Sequence, residues 1–223
     1  MRKRKFWGWG YEDQILTPAE DEAIANRILR HLGAMSVLPI PEADHIALVE
    51  PRISPPPALE SIITDDHLER LNHSYGKSFP DLARAMLGQF RNPPDLIAYP
   101  ESRADVSRIL DWANGNSIAV IPYGGGSSVC GGVETDVGDG YAGVLSMDMK
   151  RMNKFIEIDL KSRAAHIQAG ILGPDLENQL KTKNLTLRHF PQSFEHSTLG
   201  GWIATRSGGH YATLYTHIDD FVE

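Results

Sequence analysis

Between Ile118 and Gly132 a short apolar run, Ile118-Ala119-Val120-Ile121, ends at Pro122-Tyr123 and opens into Gly124-Gly125-Gly126-Ser127-Ser128. Three consecutive glycines strip a turn of side chains, so its backbone can take positive φ angles, approach another group closely and converge several N–H donors on one point. Such a concave donor set suits a phosphate, and Ser127 and Ser128 add hydroxyls. Two common phosphate loops are excluded. A P-loop needs a lysine after its last glycine, whereas Ser127 follows Gly126 and Gly132 follows Gly131. A dinucleotide fingerprint needs a third glycine at fixed spacing and a helix opening from the loop; Val129 and Cys130-Gly131-Gly132 supply neither. A phosphate cradle and a plain tight turn both stay open.

Other residues with chemical potential are fewer. Arg206 is the one arginine of the glycine-rich 200–209 segment, a candidate cation for a phosphate or an acidic substrate group; a surface ion pair is the competing reading. Nothing near Cys130 in sequence would lower its pKa, so it is expected to pack rather than react. As the single cysteine it leaves no internal disulfide or zinc cluster. His189 and His196, like His210 and His217, stand seven apart, a spacing that matches no common metal motif, and no metal is expected. Asp65-Asp66 and Asp219-Asp220 read as caps or solvated loops.

Several stretches together carry a resemblance. Pro122 to Ser128 resembles the pyrophosphate loop of the vanillyl-alcohol-oxidase and p-cresol-methylhydroxylase (PCMH) type of flavoprotein. Ile167-Gln168-Ala169-Gly170, Phe190-Pro191-Gln192-Ser193 and the run from Ser197-Thr198-Leu199 to Ser207-Gly208-Gly209 then fall in that family's order. Trp7-Gly8-Trp9-Gly10-Tyr11 and Ile218-Asp219-Asp220-Phe221-Val222 resemble the branch that makes ether-lipid precursors from acyl-dihydroxyacetone phosphate and a fatty alcohol. The likeness covers residues 91–223 well and the first 90 in patches.

The resemblance implies an α+β, PCMH-type fold of two small subdomains with FAD between them. By its terms the flavin is lined by Pro122, Tyr123, Gly124, Gly125, Gly126, Ser127 and Ser128, by Pro191, Gln192, Ser193, Phe194, Glu195, His196 and Ser197, and by Gly200, Gly201, Ala204, Thr205, Arg206 and Ser207. Some relatives link FAD covalently through a histidine in or beside the pyrophosphate loop; positions 122–128 hold none, so non-covalent FAD is expected, with His210 or a residue beyond residue 223 the groups that would overturn this. The implied activity exchanges an acyl for an alkyl group with no net redox change. An FAD-linked oxidase or dehydrogenase of a 2-hydroxy acid is the alternative, and a non-catalytic FAD-holding module the third reading. The substrate is a small molecule or lipid-like, and a homodimer is the expectation for the complete protein. The same comparison puts most catalytic acids and bases after residue 223, so none is assigned, and the chain reads as a fragment without turnover of its own.

The elements that must position these residues follow from periodicity and punctuation. Thr17, Pro18 and Glu20 open a helix over about 18–32 that ends at Gly33, with Ile24, Ile28, Leu29 and Leu32 on one stripe. Prolines make 36–57 an irregular connection. Thr64 is expected to cap a helix carrying Leu68 and Leu71, and another near Pro80 to Gln89 places Leu82, Met86 and Leu87 together. Residues 1–90 are thus a mainly helical extension, and Pro93-Pro94 the boundary of the flavin domain at 91–223. Beyond it, strand Leu96–Tyr99, helix Ser102–Asn114 and strand Ile118–Ile121 form a unit whose far end presents the glycine loop. Strands at Gly143–Met147, Phe155–Ile158 and Ala164–Ala169, a helix at Pro174–Lys183 and another at Thr198–Thr205 follow, and Ile218–Glu223 reads as the start of a strand.

Composition bounds the partners. The chain has 223 residues, 41% hydrophobic, with a net charge of -7 and a pI near 5.7, enough to bury a core but short of the basic surface a nucleic acid or anionic membrane needs. The one basic run, Arg2 to Lys5, is expected as a solvated tail. No apolar stretch approaches a membrane span and Phe6-Trp7-Gly8-Trp9 is no signal-peptide core, so a cytoplasmic protein is expected.

Overall fold

The structure is a computed structural model that describes residues 2–33, 36, 38–209, 212 and 217–223. Its central layer is a four-stranded sheet in the order β1 (Ile63–Thr64), β2 (Leu96–Ala98), β4 (Gly143–Asp148), β3 (Ile118–Tyr123). β2 and β3 both run parallel to β4, with Leu145 opposite Leu96 on one side and Val120 on the other. Parallel strands cannot be joined by a tight turn, and helix α4 (Arg103–Gly115) makes the crossover from β2 to β3. It starts at Ser102, whose side chain accepts from the Asp105 N–H, and buries Ile109 and Ala113 against Leu59, Leu96, Ile118, Leu145 and Met147.

β4 is buried at every position, and its Val144-Leu145-Ser146-Met147 run is what a central parallel strand requires. β3 continues past Ile121 through Pro122 to Tyr123. It lies at the sheet edge, where the N–H that proline lacks is not needed by a second neighbour.

Among the described residues, the region before residue 90 carries three α-helices and two 3-10 turns together with a strand of the main sheet and an N-terminal hairpin. Helix α1 (Pro18–Leu32) has the expected Thr17–Glu20 capping box, yet none of its residues is buried, and Ile24, Leu29 and Leu32 of its apolar stripe face solvent. Helix α2 (His67–Asn72) is capped by Asp66, which accepts from the Glu69 N–H at 2.9 Å, and not by Thr64. Thr64 is held in β1, where its hydroxyl accepts from the Asp66 N–H at 3.1 Å. Helix α3 (Phe79–Met86) starts at a Ser78–Asp81 capping box and buries Asp81 and Ala85, leaving Leu87 exposed. Helices α2 and α3 contribute Leu71 and Ala85 to a core with Phe6, Ile46, Tyr75 and Phe90.

The Arg2–Lys5 run is not a solvated tail. Arg4 bridges Tyr11 in an antiparallel hairpin, with Glu12 N–H donating to the Lys3 carbonyl at 2.9 Å and Lys5 N–H to that of Gly10 at 3.2 Å. Its charges find local partners: Arg2 pairs with Asp13 at 2.7 Å, and the Lys5 ammonium donates to the Gln14 carbonyl.

A second small unit follows the sheet. Strands β5 (Phe155–Asp159) and β6 (Ala164–Ile167) pair antiparallel, and helices α5 (Gly173–Lys181) and α6 (Leu199–Thr205) supply Leu176, Leu180 and Trp202 to a core with Ile171 and Ile218. Residues Ile218–Phe221, expected as a strand, form a 3-10 turn. Asp219-Asp220 favours turning backbone over extension, and Asp220 N–H closes on the His217 carbonyl at 3.1 Å. Among the described residues no helix is long and apolar enough to cross a membrane.

Candidate functional site

The carboxyl end of β3 is where parallel sheets collect ligands, and there the chain turns through Gly124, Gly125 and Gly126, the last at φ +65°. The three glycines serve close packing, of backbone on backbone at Gly125 and of backbone on a side-chain hydroxyl at Gly124 and Gly126. A Cβ on Gly125 would overlap the His196 carbonyl and stand 2.8 Å from the Ser197 Cα; one on Gly124 would overlap the Thr198 hydroxyl; one on Gly126 would overlap the Tyr123 hydroxyl. The loop is therefore pressed against the 196–198 segment of the second unit, which unites two stretches about 70 residues apart in sequence.

The loop's donors point elsewhere. Among the described residues, no backbone N–H from Gly124 to Ser128 has a hydrogen-bond partner within the chain. Ser128 is engaged otherwise: its hydroxyl accepts from the Gly132 N–H at 2.9 Å, and its carbonyl accepts from the Lys77 N–H at 2.7 Å. A run of unpartnered amides beside a backbone contact too tight for any side chain fits a diphosphate.

Beneath the loop lies a buried polar cluster at the carboxyl ends of the strands. Tyr123 donates its O–H to the Asn72 carbonyl at 3.0 Å, and its ring lies 4.2 Å from that of His73. His73 faces acceptors with both ring nitrogens, the Glu69 carbonyl at 2.7 Å and the Asp148 carboxylate at 3.1 Å. Tyr99 donates to the Glu69 carboxylate, and the Lys150 ammonium sits 4.1 Å from the Tyr99 ring centre. Burial, then the Asp148 charge, raises the Tyr123 phenol well above its ordinary value, so it stays a neutral donor that fixes the loop's stem.

Two cations border the loop. Arg4 of the N-terminal hairpin donates from Nη1 to the Gly125 carbonyl. Lys77 donates its ammonium to the carbonyls of Lys5 and Phe6 at 3.1 and 3.4 Å, and neither cation has a carboxylate ion-pair partner among the described residues. Burial first, then Arg4, lowers the Lys77 pKa to about 8 and depresses His196 as well. The Trp9 and Tyr11 rings of the hairpin lie 5.9 and 5.7 Å from the His196 ring.

The expected flavin-lining residues divide accordingly. Pro122 and Tyr123 form the loop's stem, Gly124 to Ser128 the loop, and His196 and Ser197 its immediate neighbour. In the 191–197 turn, Pro191 and Ser197 are buried, and the Ser197 hydroxyl is used internally, donating to the Ser193 carbonyl at 2.8 Å and accepting from the Trp202 indole at 2.6 Å. Phe194 stacks on Trp202 with ring centres 6.1 Å apart, whereas Gln192 and Glu195 are exposed. Gly200 lets α6 approach Ala169, where an added Cβ would stand 2.7 Å from that residue's Cβ, and Gly201 donates its N–H to Thr198. Ala204, Thr205 and Arg206 are exposed, and Ser207 is hydrogen bonded to His189 at 2.8 Å. The charge of Arg206 is taken up by Asp219 at 2.6 Å in an exposed pair. Cys130 is exposed and does not pack as expected, because the 127–132 turn leaves the surface. His210 lies outside the described residues.

Arg4 and Lys77 were not among the expected site residues. The only local signal was a glycine beside a lysine at Gly76-Lys77; the Gly76 Cα packs where a Cβ would overlap the Ser128 carbonyl.

Fold and site together define a flavoprotein domain, and the chain belongs to the FAD binding domain family, whose model matches residues 94–223. Its cofactor is FAD. In particular, it resembles alkyldihydroxyacetonephosphate synthase: the Dictyostelium discoideum protein of that name is 44% identical over 158 residues, covering 71% of this chain and 26% of that protein. A solved alkyldihydroxyacetonephosphate synthase superposes with a TM-score of 0.85 at 35% identity, over 97% of this chain and 46% of that one. A glycolate oxidase subunit of Bacillus subtilis (strain 168) is 31% identical over 134 residues, covering 60% of this chain and 27% of that protein. The chain thus spans between a quarter and a half of these relatives.

Proposed function

We propose that this chain holds FAD non-covalently where the Gly124–Ser128 loop meets the 191–207 segment, and that it serves an enzyme exchanging the acyl group of acyl-dihydroxyacetone phosphate for a fatty alcohol's alkyl group. FAD supplies the reactive ring; these residues bind its diphosphate and exclude water. The supporting observation is the reach of the likeness. By sequence the Dictyostelium discoideum synthase is 44% identical over 71% of the chain against 31% over 60% for the glycolate oxidase subunit, and the solved synthase superposes over 97% of the chain, including the segment before residue 94 that the FAD binding domain model leaves out. A cytoplasmic location, and a homodimer when the protein is complete, belong to the same proposal; cell fractionation and sedimentation check them.

The assay offers the complete protein acyl-dihydroxyacetone phosphate with a labelled fatty alcohol, and separately 2-hydroxy acids, while following the flavin spectrum. Label entering an ether product without lasting flavin bleaching supports the reading. Bleaching by a 2-hydroxy acid with no ether product replaces it with the oxidase, and bound FAD with neither reaction leaves a holding module. Denaturing the yellow protein should release free FAD; flavin that stays with the polypeptide would overturn non-covalent binding.

A further inference from the structure

The N-terminal hairpin touches three parts of the molecule at once. Phe6 is buried among Ile46, Leu71, Tyr75 and Phe90, Arg4 grips the Gly125 carbonyl, and Trp9 and Tyr11 lie against His196 of the second unit. The grip on Gly125 has a geometric consequence. In a trans peptide the C=O and the following N–H point opposite ways, so fixing the Gly125 oxygen from the hairpin side turns the Gly126 N–H to the other face of the loop. Lys77 ties the same hairpin to the same loop, its ammonium on the Lys5 and Phe6 carbonyls and its N–H on the Ser128 carbonyl.

Charge makes the arrangement directional. Two half-buried cations stand behind five unpartnered amides; Asp81, which favours the Lys77 charge, is shared with Arg84 and the Ser78 N–H, Glu134 is taken by Arg84, and Glu195 beside His196 is exposed to solvent. Positive charge that is only partly compensated in a partly desolvated place is unfavourable until an anion arrives. Beginning from the reading of Gly124–Ser128 as the diphosphate loop, we infer that the hairpin is the rear wall of that site, with Arg4 and Lys77 positioning the loop amides and supplying the charge that a dinucleotide's diphosphate neutralises. Neither residue lies in the matched 94–223 region.

The test measures binding of FAD, riboflavin and inorganic pyrophosphate to the purified chain by fluorescence quenching and calorimetry, for the parent and for Arg4→Gln, Arg4→Lys, Lys77→Gln and Arg2→Gln. Arg4→Gln and Lys77→Gln should each weaken FAD and pyrophosphate by about tenfold or more and flatten the salt dependence of binding, with riboflavin little changed because it has no phosphate. Arg4→Lys should recover part of the loss. Arg2→Gln, which removes the exposed pair with Asp13 and the guanidinium's stacking over the Tyr11 ring but no contact with the loop, should stay within about twofold of the parent. Circular dichroism screens each variant for folding. A parent that binds FAD with Arg4→Gln and Lys77→Gln equal to it sinks this inference while the flavin reading stands. Equal losses for FAD and riboflavin would also overturn it, since they mean general loosening and not lost phosphate recognition. A folded parent that binds neither FAD nor pyrophosphate overturns both.

Discussion

Gly125 has the least room of the loop residues, because its missing side chain is replaced by the backbone of His196 and Ser197. Gly125→Ala must therefore part the two segments, and rigid backbone on both sides leaves no flexible atom to yield. A stability loss of about 1 to 3 kcal/mol is expected from overpacking, with a larger relative loss of FAD affinity because the amides are displaced. Thermal unfolding and a flavin titration read the two effects; unchanged FAD affinity would show that the loop tolerates separation. Lys77 adds a pH signature. Its amine, at about 8, faces Arg4 from the hairpin and Asp81 from α3, and a bound diphosphate raises it. Above pH 8 the free protein has lost this proton while the complex keeps it, so binding takes up a proton and affinity falls as pH rises. Lys77→Gln should remove most of that slope. For stability the sign is opposite: the folded pKa lies below the ordinary 10.5, so between about 8 and 10.5 the unfolded chain holds more protons and this group favours folding as pH rises.

Asp95 shows how an element is fixed before the site can be. It is 2% exposed at the start of β2 and accepts from the Arg52 N–H at 2.7 Å, the Arg52 guanidinium at 2.8 Å and the Val144 N–H at 2.7 Å, joining the irregular 36–57 connection to β2 and β4. Burial pushes its pKa up, but these hydrogen bonds outweigh it and hold the carboxyl below the ordinary 3.8. The stabilisation is present above that value and lost as pH falls below it. Asp95→Asn should cost about 2 to 3 kcal/mol near neutrality and less at acid pH, read from urea midpoints across the pH series. An equal cost at both pH values would assign the loss to packing. None of this long-range stitching is legible in one sequence. α1, α4 and α5 are, because their caps, prolines and apolar spacing are local, and so are β2 to β6. β1 is too short for a period, and the basic hairpin reads as a tail because its strand signal is two residues at a bridge. In the site, the glycine loop is visible as composition. Its partners, 121 positions away for Arg4, are not.

At the scale of the whole molecule, three cores meet around one loop. The sheet core, the core built on Phe6 and Tyr75, and the core built on Ile171 and Trp202 share no buried residue, so their coupling rests on narrow seams. For the third core these are the glycine loop on 196–198, the hairpin against His196, and Gly170, whose N–H donates to the Met152 carbonyl at 2.8 Å where a Cβ would overlap the Met149 carbonyl, while the buried Tyr123, His73 and Asp148 cluster ties the second core to the sheet. Narrow polar seams stabilise little by burial, so without ligand the third core should open at lower free energy than the sheet. A dinucleotide seated at the loop touches the seams and closes them together: at a hundredfold excess over Kd it adds about 2.7 kcal/mol to any opening that releases it. Hydrogen exchange reads this directly. Amides of β5, β6, α6 and the hairpin should slow with FAD by a common factor, while β4, already limited by global unfolding, changes only as far as the whole protein is stabilised. Protection confined to the loop, with the third core exchanging as before, would mean that the seams do not couple the cores and that the site is assembled by the loop alone.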